Sequence, residues 1–398
     1  MKIYQFIVYC VFVSIIFSGC NSDSNQKEFS GLFVVNVSNA KETDQTVVRL
    51  SQFAESISYI RLSEEPLIGA IRYSPVRLYN DTFYLAHENI YKYDSTGKFI
   101  KKIFKEGRGA GEALKYKFSF AAFCDKERYI TFHSYSNHSY MTYSFDGEFL
   151  GSLDADINKT QKKQIKTYFN NYLLYDVDNY VGVGNSKNKN RVGPNLFYAQ
   201  DIYSDTIYYY YPNPAADENP PYSGGAESIV GDIQFINNDS LLWFKYSVID
   251  TLYSTSDFQT ITPRYIFKTN NSFININQHM HIRSGDFGEE VLQLKEITGV
   301  LPFPNGSLLY TVNNKLGFFD GKGNTSDYSE KRVENDLDDY LKTIDLQTPL
   351  DLRAFSLSKN HLYLLIEAFE FFEEGCSSPF SDLNEESNPV ILKIKLKK

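Results

Sequence analysis

"IYKYDSTGKFIKKI", residues 90–103, decides how this chain is read. Two short alternating strands flank Asp94-Ser95-Thr96-Gly97, and an Asp-plus-glycine turn between such strands makes a tight hairpin. The unit recurs in "YMTYSFDGEFLGSL" (140–153), with its turn at Asp146-Gly147. It recurs again in "YSVIDTLYSTSDFQTITPRYIF" (246–267), turning at Ser256-Asp257, and in "NNKLGFFDGKGNTSDYSE" (313–330), turning at Asp320-Gly321. "FYAQDIYSDTIYYYYPN" (197–213) is a weaker copy, and "HLYLLIEAFEFFEE" with "NPVILKIKLKK" ends the chain as two strands around a long turn.

Fixed-period self-similarity marks a repeat architecture. The six units lie roughly 50 to 70 residues apart, against the ~40 to 50 residues of a four-stranded propeller blade. Longer connections such as "ADENPPYSGGAESIVG" (216–231) account for the excess. The expectation is an all-β chain folded as a six-bladed β-propeller, with a pair of β-sandwiches as the alternative. Composition agrees: Tyr and Phe number 31 each against one Trp and three Met, and aromatic residues favour strands. A ring must also close. "TVVRLSQFAESISYIRL" (46–62) precedes the first clear hairpin and is expected to supply a strand to the last blade.

The opening residues "MKIYQFIVYCVFVSIIFSGC" carry Lys2, an apolar run from Ile3 to Phe17, then Ser18, Gly19 and Cys20. A basic start, a short apolar core and small residues make an export signal, and "FSGC" resembles a bacterial lipobox with Cys20 as the lipidated residue. The expected organisation is a lipoprotein signal peptide at 1–20, a tether and lead-in at 21–45, and the propeller at 46–398. The expected location is the cell envelope, lipid-anchored at the outer membrane or periplasmic face. Two further cysteines, Cys124 and Cys376, either pair or stand as separate thiols. A formal charge of -9 argues against a nucleic-acid surface, which needs a basic face.

Several stretches together resemble a known family. "AESISYIRLSEEPLIGAI", "IYKYDSTGKFIKKI", "GRGAGEALKY", "YSVIDTLYSTSDFQTITPRYIF" and "VENDLDDYLKTIDLQTP" follow one another in the order of the six-bladed β-propeller lipoproteins of Bacteroides-type bacteria. These are related to NHL-repeat propellers, and many were catalogued as domains of unknown function. The resemblance implies the fold and an envelope location, and no settled reaction. Arg108 stands where that family usually has Gln, Ala110 where it has Pro, and Asp339 and Tyr340 where it has paired glycines.

Candidate sites are few. "KEGRGAGEALKY" (105–116) lacks the G-x-G-x-x-G spacing of a dinucleotide loop and the lysine of a P-loop. It is either a connector that uses glycine for its backbone freedom or an anion nest. In the second case Arg108 and Glu112 are the ligand-binding candidates; in the first they pair with each other. "QHMH" puts His279 and His281 on one strand face, where two imidazoles can share a metal, with Asp286 nearby. "ENDLDD" (334–339) lacks the glycine and spacing of a calcium loop. No residue pattern defines a catalytic group, and no cofactor is expected. Two readings stand: an envelope module, expected as a monomer, that binds a glycan, peptide or envelope protein, and a propeller hydrolase or lyase with its site at the central channel.

Overall fold

Several strands are apolar on both faces, as in "LLYTV", where all of Leu308–Val312 is buried. A strand buried on both faces needs a sheet packed on each side, and a ring of sheets provides that for every member. The computed structural model describes residues 31–68, 76–87, 89–107, 109, 111–113, 121–124, 127–134, 139–154, 163–177, 180–181, 195–201, 203–204, 206–212, 227–228, 233–238, 240–246, 249–271, 273, 294–330, 332–345, 356–358 and 360–398. Leu32–Lys398 forms one compact unit, built as a six-bladed β-propeller.

Each blade is built on an antiparallel sheet, and in blades 1 to 4 its four strands, A to D, follow chain order. Blade 1 holds Val76–Tyr79, Thr82–Ala86, Ile90–Tyr93 and Phe99–Lys102; blade 2 holds Ala121–Cys124, Tyr129–Ser134, Ser139–Ser144 and Phe149–Asp154. Blade 3 holds Lys163–Phe169, Tyr172–Val177, Asn195–Asp201 and Ile207–Pro212; blade 4 holds Ile233–Asn238, Leu241–Tyr246, Thr251–Thr255 and Thr262–Lys268. Blade 5 holds Ile297–Pro302, Leu308–Val312 and Lys315–Phe319, with residues 325–329 bridging its third strand as an irregular fourth. Blade 6 holds Ser356–Ser358, His361–Ile366 and Val390–Leu396, and its outer strand is Ala54–Arg61 from the far end of the chain.

The turn chemistry repeats with the blades. At the end of strand C, Asp94 Oδ1 accepts from the N–H groups of Thr96 and Lys98. Ser144 Oγ does this for Asp146 and Glu148, Asp201 for Tyr203 and Ser204, and Asp320 for Lys322 and Asn324. In blade 4, Thr255 accepts from Phe258 N–H and Asp257 from Gln259 and Thr260. Short polar side chains that satisfy the N–H groups two to four residues on favour a turn over a continued strand. Glycine completes three of these turns, at Gly97, Gly147 and Gly321. Gly97 and Gly147 have φ of +87° and +78°. A Cβ there would collide with the carbonyl of Arg61, which ends the outer strand of blade 6, or of Ile103, which follows the outer strand of blade 1.

The core is a ring of seams. Tyr84, Ile103 and Phe104 meet Phe123, Phe132 and Tyr143 between blades 1 and 2. Cys124 and Tyr140 meet Tyr168 and Leu173 between blades 2 and 3. Phe169 and Phe197 meet Leu242 and Phe244 between blades 3 and 4. Blades 4, 5 and 6 share one continuous cluster, and Val76, Phe83 and Tyr93 meet Tyr363 and Ile391 where blade 1 meets blade 6. Each fully buried ring is worth about 1.5–3 kcal/mol of hydrophobic transfer, so the aromatic abundance is spent largely on these seams.

The N-terminal segment runs round three blades before it closes the ring. Phe33–Asn36 pairs in parallel with Thr262–Lys268 as a fifth strand on blade 4. Glu42 bridges Tyr328 beside blade 5, and Lys315 there binds the Glu42 carboxylate. Val48–Arg49 pairs in parallel with Arg332–Glu334. Ala54–Arg61 then pairs along the whole of Val390–Leu396. The strand-bearing path thus begins at Phe33, inside the stretch read from sequence as a lead-in.

Candidate functional site

Antiparallel order divides the connections between two sides. The A–B turns are short, as at 80–81 and 170–171, and the C–D turns on the same side hold themselves together as described. The B–C and D–A connections begin and end on the opposite side, and their described stretches include 109, 111–113, 332–345 and 367–389. The auxiliary pairings lie here too. Tyr180–Val181 pairs with Glu227–Ser228, joining the B–C connection of blade 3 to the connection that follows it. Lys105–Glu106 pairs with Glu112–Ala113 within one connection, and Arg332–Glu334 pairs with Thr343–Asp345 within another. A plain, self-capped side and an elaborated side are the layout of a scaffold that presents loops.

The glycine connector after blade 1 supplies its own anion. Glu112 Oε2 accepts from Gly109 N–H at 2.9 Å, and Glu112 N–H donates to Gly109 O at 3.0 Å. The same carboxylate covers Gly107, where a Cβ would collide with it. Tyr143 Oη donates to Gly111 O at 2.7 Å, fastening the connector to blade 2. Burial first, and the charge of Glu112 second, push the Tyr143 phenol up to about 12. Glu112 therefore reads as part of the connector's architecture. Arg108 lies outside the described residues, as do Cys20, His279, His281 and Asp286. Among the described residues no group of three or more His, Cys, Asp or Glu is placed to hold a metal ion. Cys124 and Cys376 are both free thiols, Cys124 fully buried.

The acidic run 334–339 is a clasp on the N-terminal segment. Glu334 binds the Arg49 guanidinium at 2.8 Å, and Asp336 accepts from Ser51 N–H at 2.9 Å. Asp338 Oδ1 accepts from Asn335 Nδ2 at 2.8 Å, Tyr340 N–H at 3.0 Å and Tyr59 Oη at 3.2 Å. Burial, followed by the Asp338 charge, holds the Tyr59 phenol well above its usual range. The Asp338→Ala variant is expected to lose ~1–3 kcal/mol of stability, because three donors lose one acceptor. Urea unfolding measures this, and an unchanged midpoint would show that Asp338 does not hold the clasp.

Two features escaped the sequence reading. The B–C connection of blade 6, 367–389, docks on the clasp: Ser377 N–H donates to Tyr340 O at 2.8 Å, and Tyr59 stacks edge-on against both Tyr340 and Phe371. Lys245, in strand B of blade 4, is the other. Its side chain lies in the seam with blade 5, only 2 % exposed. Nζ donates to Tyr246 O at 2.7 Å and Ile297 O at 3.4 Å, and sits 5.7 Å from the centre of the Phe267 ring. Burial lowers its pKa to about 7, against the opposing pull of Glu296 and Asp250. "LLWFKY" reads as an ordinary strand, and nothing local in it shows that both of its faces are covered.

The family described as Domain of unknown function (DUF4934) matches residues 32–395. No curated protein matches the chain. Among solved structures, an exported protein, so described, from Bacteroides fragilis is 13 % identical with a TM-score of 0.58, covering 92 % of this chain and 100 % of its own. A member of the duf4221 family from Bacteroides vulgatus is 11 % identical with a TM-score of 0.48, covering 86 % and 97 %. BamB from Moraxella catarrhalis is 8 % identical with a TM-score of 0.40, covering 85 % and 100 %. At such identities the first likeness bears on fold alone. With a family match spanning nearly every residue of the propeller, the chain belongs to the DUF4934 family, a domain of unknown function.

Proposed function

We propose that this chain is an exported, lipid-anchored envelope propeller that binds a ligand or partner protein without performing chemistry. The observation that carries the reading is the asymmetry of the ring. Five C–D turns are closed by their own side chains, while the opposite side carries the long connections and the auxiliary pairings. A rigid ring holding elaborated loops on one side suits recognition. The export signal at 1–20 supports the location, as does the similar fold of the exported Bacteroides fragilis protein.

Two measurements test it. Thermal shift of the detergent-solubilised full chain against panels of glycans and peptides should find a class that raises Tm, since a ligand at a hundred times its Kd adds about 2.7 kcal/mol. Turnover of a panel member, with no other member binding intact, would reject the reading in favour of an enzyme. The Cys20→Ser variant should move the protein from the membrane pellet to the soluble fraction. Retention in the pellet would reject the lipid anchor.

A further inference from the structure

The strand-bearing path joins the ring at the outer edge of blade 4. Phe33–Asn36 lies outermost there, beside Thr262–Lys268, with Val34 paired to Ile266 and Asn36 to Lys268. Val35 turns into the seam with blade 5, and the Phe33 ring lies 6.1 Å from Phe319 of that blade. Alternation along both strands therefore puts Val34, Ile266 and Lys268 together on the other face. Val34 is 40 % exposed there, and Leu32, just before the strand, is 51 % exposed. Ile266 is half-buried and Lys268 exposed. Neither Leu32–Asn36 nor Thr262–Lys268 contains an Asp or Glu, so this edge is apolar and basic in a chain whose formal charge is -9. Only eleven residues, 21–31, separate Leu32 from Cys20. A flexible tether of that length spans roughly 17–20 Å on average and at most about 40 Å. A compact unit of this size has a radius of gyration of about 21 Å, so the edge that roots the tether stays closest to whatever holds Cys20.

We propose that this edge of blade 4 rests on the lipid surface that holds the anchor, with Leu32 and Val34 in the headgroup layer and Lys268 against anionic headgroups. The inference rests on the lipid-anchor reading above. Exposed aliphatic side chains gain by entering the interface, and a cation beside them gains from anionic lipid. A tethered surface cannot diffuse away, so even a weak contact is occupied. A partner strand is a poorer occupant. It would have only the four residues of Phe33–Asn36 to pair with, and Thr325 Oγ1 already donates to Asn36 O at 2.7 Å. The rim of blade 1, opposite blade 4 in a ring of six, then points away from the lipid.

The test uses the lipidated full chain in vesicles of phosphatidylethanolamine and phosphatidylglycerol. Cys124 is buried, so a Cys376→Ser background leaves no accessible native thiol in the ring. An environment-sensitive dye is then attached at Val34→Cys or, on the exposed rim of blade 1, at Ile100→Cys. Both variants should keep the wild-type Tm, since both side chains are exposed. The dye at 34 should shift to the blue and be quenched by spin-labelled lipid, and the dye at 100 should do neither. Lys268→Glu, and separately high salt, should weaken the quenching at 34 while the chain still floats with the vesicles. Equal quenching at 34 and 100, or none at 34 in a chain that floats, would overturn the inference and leave the lipid anchor standing. A blue shift at 34 that grows with protein concentration and is not quenched by lipid would assign the edge to a second copy and overturn it equally. A wild-type chain that does not float would end the anchor reading, and this one with it.

Discussion

A chain lacking residues 46–62 should show no cooperative thermal unfolding. The deletion removes Ala54–Arg61, which pairs along all of Val390–Leu396. It exposes one edge of a strand whose Val390, Ile391, Leu392, Ile394 and Leu396 are all essentially buried. It also removes Leu62 from the seam between blades 6 and 1, and the Arg61 carbonyl against which Gly97 packs. An open ring loses a whole seam, worth several buried side chains at about 1.5–3 kcal/mol each, against a net domain stability of only about 5–15 kcal/mol. Moving the strand, rather than deleting it, separates ring closure from loss of sequence. Lys397 N–H donates to Phe53 O at 2.8 Å, so the chain end already lies beside the start of that strand. A permuted chain in which 54–62 follow 398 through a copy of turn 94–98, with a flexible linker of equal length in their original place so that residues 32–53 are kept, should recover cooperative melting. Unchanged melting of the deletion, or failure of the permuted chain alongside a cooperative deletion, would sink the account.

Between about pH 7 and pH 10.5 the wild-type protein should gain stability relative to Lys245→Met. The folded-state pKa of Lys245 is lowered from 10.5 to about 7. In that window the unfolded chain holds the proton and the folded chain does not, so stability rises with pH. Below about pH 7 both states are protonated and the cost of burying the charge is fully present. Above 10.5 neither is, and the cost is gone. The slope is about 1.4 kcal/mol per pH unit, and the whole rise is on the order of 5 kcal/mol. Asp250 and Glu296 face the ammonium and oppose the shift, so neutralising either should deepen it. Urea midpoints of both proteins at a series of pH values measure the difference. Parallel curves would show that Lys245 keeps its ordinary pKa in the seam.

What could be read early was local. The residue that ends strand C closes its turn through bonds reaching two to four positions on, so Asp94 and Asp320 announce their hairpins within five residues. Repetition of that unit, with aromatic strands between, was enough for an all-β ring of six. The Ala54–Arg61 closure was legible too, because an unmatched strand at one end and a hairpin lacking its outer strand at the other are complementary. The connector 105–116 was recognisable as a turn, but whether Glu112 met Arg108 or a ligand was open. Its carboxylate turns back on Gly109 and Gly107, a matter of a side-chain rotamer that residue spacing does not specify.

The sequence by itself determined the class, the count of blades and the place where the ring closes, because turn capping and strand alternation act between near neighbours. Only the tertiary structure decided the rest. It carried Phe33–Asn36 onto blade 4 and Val48–Arg49 beside Arg332–Glu334, turning a lead-in into a strap. It set the acidic run 334–339 against the strap as its clasp. It buried Lys245. Each of these joins or covers residues far apart in the chain, and what lies opposite a side chain is a property of packing that no short stretch encodes.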